Sequence, residues 1–508
     1  LKKAGMANQL FQVKTHEMLQ EELRGENRLH RVLGPVQLTS LGVGAIIGTG
    51  IFVLTGVAAH DLTGPALMLS FVVSGITCVF AALCYAEFAS MVPVAGSAYT
   101  YAFATMGELL AWIMGWDLIL EYAVASATVA HGWSAYFQSF LAFFHVGLPH
   151  AFTSAPFDYD LAAGRLISTG TWFDLPAIVI AALVTIVLVK GIRESASLNT
   201  AIVTLKLAIV FFVIGVGAMY VHASNWVPFA PFGLSGLSFF GHTVWGQAGP
   251  GGKPQGMLAG AALVFFAYIG FDSISTHAEE ARNPSRDVPI GILTSLVLCT
   301  ILYIAVAGVL TGMVPYNQIN IDAPVSAAFL QVGLPWAQLL ISIGAIAGIT
   351  SVLLVMMLSQ PRIFLAMARD GLLPSGFFGA IHERFRTPWK STILTGFCVA
   401  LMGAFLPLRF LAELVNIGTL LAFVIVCSAV LIMRRTHPEL RRPFRAPLGA
   451  VVPVLGILCC LLLMFSLPVA NWERLVGWLL IGLVIYFSYG MRHSNIAKFN
   501  REKMTQLK

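Results

Sequence analysis

Apolar residues in this chain fall in blocks of about twenty, separated by short polar segments. A helix of that length crosses a hydrocarbon core roughly 30 Å thick. Lipid offers no partner to an open backbone N–H or C=O, so helix is the default spanning form. A membrane β-barrel needs alternating segments of about ten residues, and the sequence contains none. Charge content agrees. Only 11% of the 508 residues are charged, against about 25% in a soluble domain, too few to cover a water-facing surface of this size. The expected fold class is all-α integral membrane.

Twelve spans are predicted, at about 37–60, 65–90, 107–141, 174–191, 197–222, 256–278, 289–314, 334–366, 389–407, 410–433, 449–468 and 472–490. An even count places both ends on one side, and lysine and arginine decide which. With the N-terminus cytoplasmic, the inside segments hold 25 of these residues and the outside segments only Arg165, Lys253, Arg409 and Arg474. The remaining cation, Lys206, lies inside a span. The polar first 34 residues predict a cytoplasmic segment, not a cleavable signal peptide, with an amphipathic helix over Thr15–Val32 or a floppy tail. The longest outside loops are about 142–173 and 223–255, and the second, with Gly-rich sequence around Gly249 to Gly256, reads as a flexible insertion. No loop is long enough to bury a core of its own, so the functional machinery is expected in the membrane.

The seven cysteines all lie in apolar blocks without zinc spacing, so no metal site, disulfide framework or cofactor is expected. No HExxH motif, paired catalytic aspartates or cofactor fingerprint supports an enzyme. A channel would want a polar pore or filter ring, and only scattered charges occur.

The first span carries Gly42, Gly44, Gly48 and Gly50 within nine residues, costly for a helix interior. The sixth holds Gly270 beside the intramembrane carboxylate of Asp272. Close helix packing of the small-xxx-small kind explains glycines alone. Unwinding explains them together with Asp272: freed backbone groups at mid-membrane need partners, and a polar ligand supplies them. A half-helix N-terminus suits a carboxylate and a C-terminal end an ammonium, which matches a zwitterionic amino acid. Spans one and six hold matching places in two sets of five. This predicts a 5+5 inverted repeat with broken helices 1 and 6, plus two extra C-terminal helices. The organisation is then a cytoplasmic segment 1–34, a first repeat 35–222, an extracellular loop 223–255, a second repeat 256–433, helices 11 and 12 over 434–490, and a cytoplasmic tail 491–508.

The runs GVGAIIGTGIFVLTG from Gly42, FAALCYAEFASMVPVAGSAYTYAF from Phe80, FFAYIGFDSIST from Phe265 and EEARNPSRDVPIGI from Glu279 resemble the amino acid–polyamine–organocation superfamily. Within it they are most similar to bacterial members of the cationic amino acid transporter family, and the resemblance covers about residues 35 to 490. It implies the inverted-repeat fold shared with sodium-coupled neurotransmitter-type transporters, and alternating access around a midplane site. Matching motifs imply that the backbone of Ile46, Thr49 and Gly50 serves the substrate carboxylate. The carbonyls of Phe266, Ala267 and Ile269 are implied at the ammonium, with Phe266 as a gate.

Lys206 sits mid-span, too deep to snorkel easily, and an intramembrane charge is by default a functional-site hypothesis. A buried amine there can load and release a proton as its surroundings change. In proton-coupled relatives, the resemblance implies, a lysine at the matching position stands where sodium-coupled relatives hold an ion. The alternative is a static lysine bonded to backbone carbonyls. Glu121 and Asp117, four apart, share a face of the third span. Glu121 is a candidate for the substrate side chain or for proton exchange with the Lys206 region, and Asp117 reads as structural. Asp272 either binds a basic side chain or hydrogen-bonds the freed backbone. Glu279, Glu280, Arg282, Arg286 and Asp287 read as a cytoplasmic charge network, and His131 as a bonded structural residue.

The resemblance places Met356 along the side-chain pocket, where its bulk would crowd an arginine-like chain. The expected function is a proton-coupled L-amino acid symporter of broad specificity, leaning to small neutral substrates such as alanine, with basic ones possible through Glu121 and Asp272. The alternative is an exchanger for cationic amino acids or polyamines without proton coupling. The expected partners are substrate, proton and lipid bilayer, with a small single-span membrane partner left open. The expected location is a bacterial inner membrane, both termini cytoplasmic.

Overall fold

The computed structural model describes residues 10–14, 33–91, 97–160, 165–191, 196–249, 252–496 and 498. The expected helix over Thr15–Val32 lies outside them. Helix dominates. Helix α1 covers Pro35–Ile46, with proline in its first turn, where the missing N–H costs nothing. Helical structure resumes at Gly50 in a wider π-type winding to Leu54 and ends in a second such stretch, Ala59–Thr63. Gly64, at φ +59°, turns the chain into α2, Leu67–Met91.

The remaining long helices are α3 (Glu108–Phe143), α4 (Leu175–Lys190), α5 (Ala196–Ala218), α6 (Met257–Val264), α7 (Pro284–Met313), α8 (Pro335–Arg369), α9 (Trp389–Phe405), α10 (Leu408–Thr436), α11 (Val451–Ser466) and α12 (Val469–Ile485). Among the described residues, eight helical runs are long and apolar enough to cross a membrane, and four shorter apolar helices accompany them. Helices α3 and α8 run 36 and 35 residues without interruption. At 1.5 Å per residue that is over 50 Å, roughly, longer than the hydrocarbon, as the long third and eighth spans lead one to expect.

The run from Met257 to Thr276 is almost wholly buried, whereas α5 and α12 turn apolar residues such as Phe211 and Val484 outward. Helices apolar all round belong in a membrane. The broken element over 257–276 is thus central, and α5 and α12 are peripheral.

Strand occurs only as three short hairpins among the described residues, 157–168, 237–245 and 247–255. The stretch 223–255, read from its glycines as a flexible insertion, therefore carries paired backbone. Its first hairpin is pinned to the end of α11: Phe240 N–H donates to Phe465 O at 2.7 Å and Ser238 Oγ to Ser466 O at 2.8 Å. Glycines there serve turns, with Gly236, Gly241 and Gly246 all at positive φ.

Two ties join elements far apart in sequence. Leu33 N–H donates to Glu280 O at 2.9 Å and Arg282 N–H to Leu33 O at 2.8 Å, joining the entry to α1 with the exit from the sixth span. At the end of α2, Glu87 is buried against Arg434 of α10, lies 3.6 Å from Arg442 Nε, and accepts from Ala446 N–H at 2.8 Å.

Candidate functional site

Helix α1 stops at Ile46 and resumes at Gly50. Helix α6 tightens into a 3-10 turn over Phe265–Tyr268, opens at Ile269, and resumes at Ser273. The two breaks meet. A Cβ on Gly50 would stand 2.3 Å from Ala267 Cα, and one on Gly270, itself at φ +119°, would stand 2.9 Å from Ala45 O. Only glycine fits either place, so both residues are there for close backbone approach as much as for unwinding.

Freed backbone groups find partners inside the protein, as buried polar groups must. Lys206 of α5 donates from Nζ to Gly44 O at 2.7 Å and reaches Ile47 O at 3.2 Å. Its stem passes Gly348 of α8, where a Cβ would come within 3.3 Å of it. Tyr303 Oη of α7 lies 2.8 Å from Ile46 O and 2.9 Å from Ala267 O, spanning the two breaks. Asp272 folds back: Gly270 N–H donates to Oδ1 at 3.2 Å and Tyr122 Oη to Oδ2 at 3.0 Å. Of the two roles open to Asp272, this geometry is that of bonding the freed backbone.

A small cavity lies where the breaks meet. The first break supplies Ala45, Ile46, Gly48, Thr49 and Gly50, and the second Phe266 and Ile269. Helix α3 adds Ala125 and Val129, and α8 adds Val352 and Met356. Six expected residues (Ile46, Thr49, Gly50, Phe266, Ile269, Met356) therefore surround one space. Ala267 is packed behind it on Gly50, and neither Asp272 nor Glu121 lines it. The side chains of this wall are uncharged and apolar, Met356 with its thioether included, apart from Thr49 Oγ1, which is buried without a hydrogen-bond partner. Half-helix ends of both polarities face the space, which suits a zwitterion, while the walls offer no charge to a side chain.

Sequence reading missed Ala125, Val129 and Val352. A signal was present: they lie four and eight residues beyond Glu121 and four before Met356, one helical face in each case. It also missed Tyr303 and Gly132, whose place against Thr49 leaves no room for a Cβ. A lone tyrosine or glycine in an apolar block carries no such signal.

Glu121 is one turn from the cavity, 1% exposed, and neither of its oxygens has a hydrogen-bond partner. Asp117 is equally buried and unpartnered. At the far end of the sixth span, Arg362 of α8 lies 4.0 Å from Glu280, and Asp287 accepts from Asn283 N–H at 3.1 Å. The side chain of Glu279 is outside the described residues. His131 lies 3.6 Å from Asp174, the cap of α4.

Residues 33–489 match the family model of the amino acid permeases. The chain is 47% identical over 492 residues to the branched-chain amino acid permease BcaP of Bacillus subtilis, covering 97% of this chain and 100% of that one. It is 45% identical over 489 residues to the methylthioribose transporter of the same organism, covering 96% and 99%. It is 38% identical over 421 residues to the vacuolar cationic amino acid transporter 4 of Arabidopsis thaliana, covering 82% and 65%. The chain thus belongs to the amino acid permease family of the amino acid–polyamine–organocation superfamily, and is a multi-pass membrane transporter, not an enzyme.

Proposed function

We propose that the protein is a proton-coupled symporter of neutral L-amino acids, working by alternating access in a bacterial inner membrane with both termini cytoplasmic. Twelve crossings form the five-plus-five inverted repeat over 35–222 and 256–433, with α11 and α12 added. The observation that carries this reading is Lys206, whose amine takes the carbonyls of Gly44 and Ile47 on the very break that walls the cavity. Loss of its proton would weaken its hold on those carbonyls, since a neutral amine is a poorer donor than an ammonium, and so change the first break, linking proton and substrate through one backbone segment. Ile46, Thr49 and Gly50 hold the substrate carboxylate, and Phe266, Ala267 and Ile269 its ammonium. Met356 with Val352, Ala125 and Val129 bounds the side chain. A small space and a wall without charge favour alanine and other uncharged side chains over arginine. One relative's name, a branched-chain amino acid permease, points the same way.

Purified protein in liposomes, given radiolabelled alanine with and without an inward proton gradient, tests the reading, with unlabelled arginine as competitor. Gradient-driven accumulation that Lys206→Ala abolishes is expected. Uptake only into liposomes preloaded with amino acid means an exchanger and removes the coupling role of Lys206. Strong competition by arginine overturns the preference for neutral substrates.

A further inference from the structure

We infer that Asp117 and Glu121, facing the Asn416–Thr419 turn of α10, form a second proton-holding site, outside the substrate cavity and separate from Lys206. This rests on the symport reading and extends it to residues that reading does not need. Asp117 and Glu121 are 0% and 1% exposed, and none of their four carboxylate oxygens has a hydrogen-bond partner. They stand one turn apart on α3. Helix α10 shapes itself to them. Gly418 gives Asp117 room, since a Cβ there would come within 3.1 Å of Oδ1. Thr419 stands beside Glu121, and its own buried hydroxyl is unpartnered. Asn416, one turn earlier, fixes α10 to the last turn of α6, just before the second break, by donating to Ala262 O at 2.8 Å and Leu263 O at 3.0 Å.

The groups facing the pair do not neutralise it. Asp272 of the second break and Tyr85 of α2 lie within electrostatic reach of Glu121, with Tyr122 already committed to Asp272. Among the described residues no lysine or arginine acts on either carboxylate. Two bare carboxylates a turn apart in a dry interior, with a third nearby, do not stay charged together. The pair therefore keeps a proton for as long as α10 covers it, and a shift of α10 against α3 opens the oxygens to water and lets the proton exchange. Occupancy thereby follows the conformational cycle.

Wild type, Asp117→Asn and Thr419→Val would be compared in proteoliposomes by alanine counterflow without a gradient and by gradient-driven accumulation across internal pH 6 to 8. Asparagine keeps the shape of the protonated acid, and valine keeps the shape of threonine. The expected result is a ratio of accumulation to counterflow that falls by about tenfold in Asp117→Asn, within the usual range for coupled sites, and a shifted pH profile in Thr419→Val. Parallel loss of both activities in Asp117→Asn with an unshifted profile in Thr419→Val makes the pair structural and overturns the inference. Accumulation that follows a sodium gradient in place of pH overturns the proton assignment. Should Asp117→Asn not fold, the Thr419→Val profile decides alone. Wild-type uptake indifferent to the proton gradient fails the symport reading itself, whatever the variants do.

Discussion

Single side chains do for the broken helices what an intact hydrogen-bond ladder does elsewhere. Tyr303 spans Ile46 O and Ala267 O with one hydroxyl. Tyr303→Phe leaves buried carbonyls unbonded, at a cost of about 1–3 kcal/mol. A lower thermal midpoint in detergent and a raised KM for alanine are expected; a midpoint and KM equal to wild type would show that the carbonyls find other partners. Met356 bounds the cavity on the α8 side, and serine is smaller and polar. Met356→Ser should raise arginine competition against alanine uptake by about tenfold, the size of effect a few methylene-sized groups have on selectivity; unchanged competition would remove Met356 from the side-chain pocket.

At the scale of elements, the structure rests on contacts between helices far apart in sequence. Glu87 ends α2 in a buried cluster with Arg434, Arg442 and the backbone of Ala446, so α2, α10 and the chain leading to α11 are held at one point. Removing one member leaves a buried charge without its partner, which costs about 3–5 kcal/mol. Glu87→Ala should therefore unfold at clearly lower temperature in detergent, and Glu87→Ala with Arg434→Met should recover part of the loss. Additive losses would mean that the two residues act apart. The sequence carries no sign that Glu87 meets Arg434, 347 residues later, because ion pairing between spans leaves no local pattern.

For the whole molecule, the lysine and arginine distribution makes a directional claim that labelling can check. In a cysteine-free background, cysteine at Arg435 should react with an impermeant maleimide only from the cytoplasmic side, and cysteine at Val244 only from outside. Both positions are solvent-exposed. The reverse pattern would invert the topology. The apolar blocks, the glycine clusters at 42–50 and around 270, and the lone Lys206 were all legible in the sequence. Block length against bilayer thickness and backbone need in lipid are local rules. They determine helix, number of blocks and the places where helix must break. What only the tertiary structure decided is which freed group meets which partner. Six expected residues surround one cavity, while Ala267 lies behind Gly50, Asp272 turns to the backbone, and Glu121 with Asp117 faces α10. A helix fixes the spacing of its side chains every 3.6 residues, but the rotation that sends a given face toward substrate, lipid or another helix comes from packing the whole bundle.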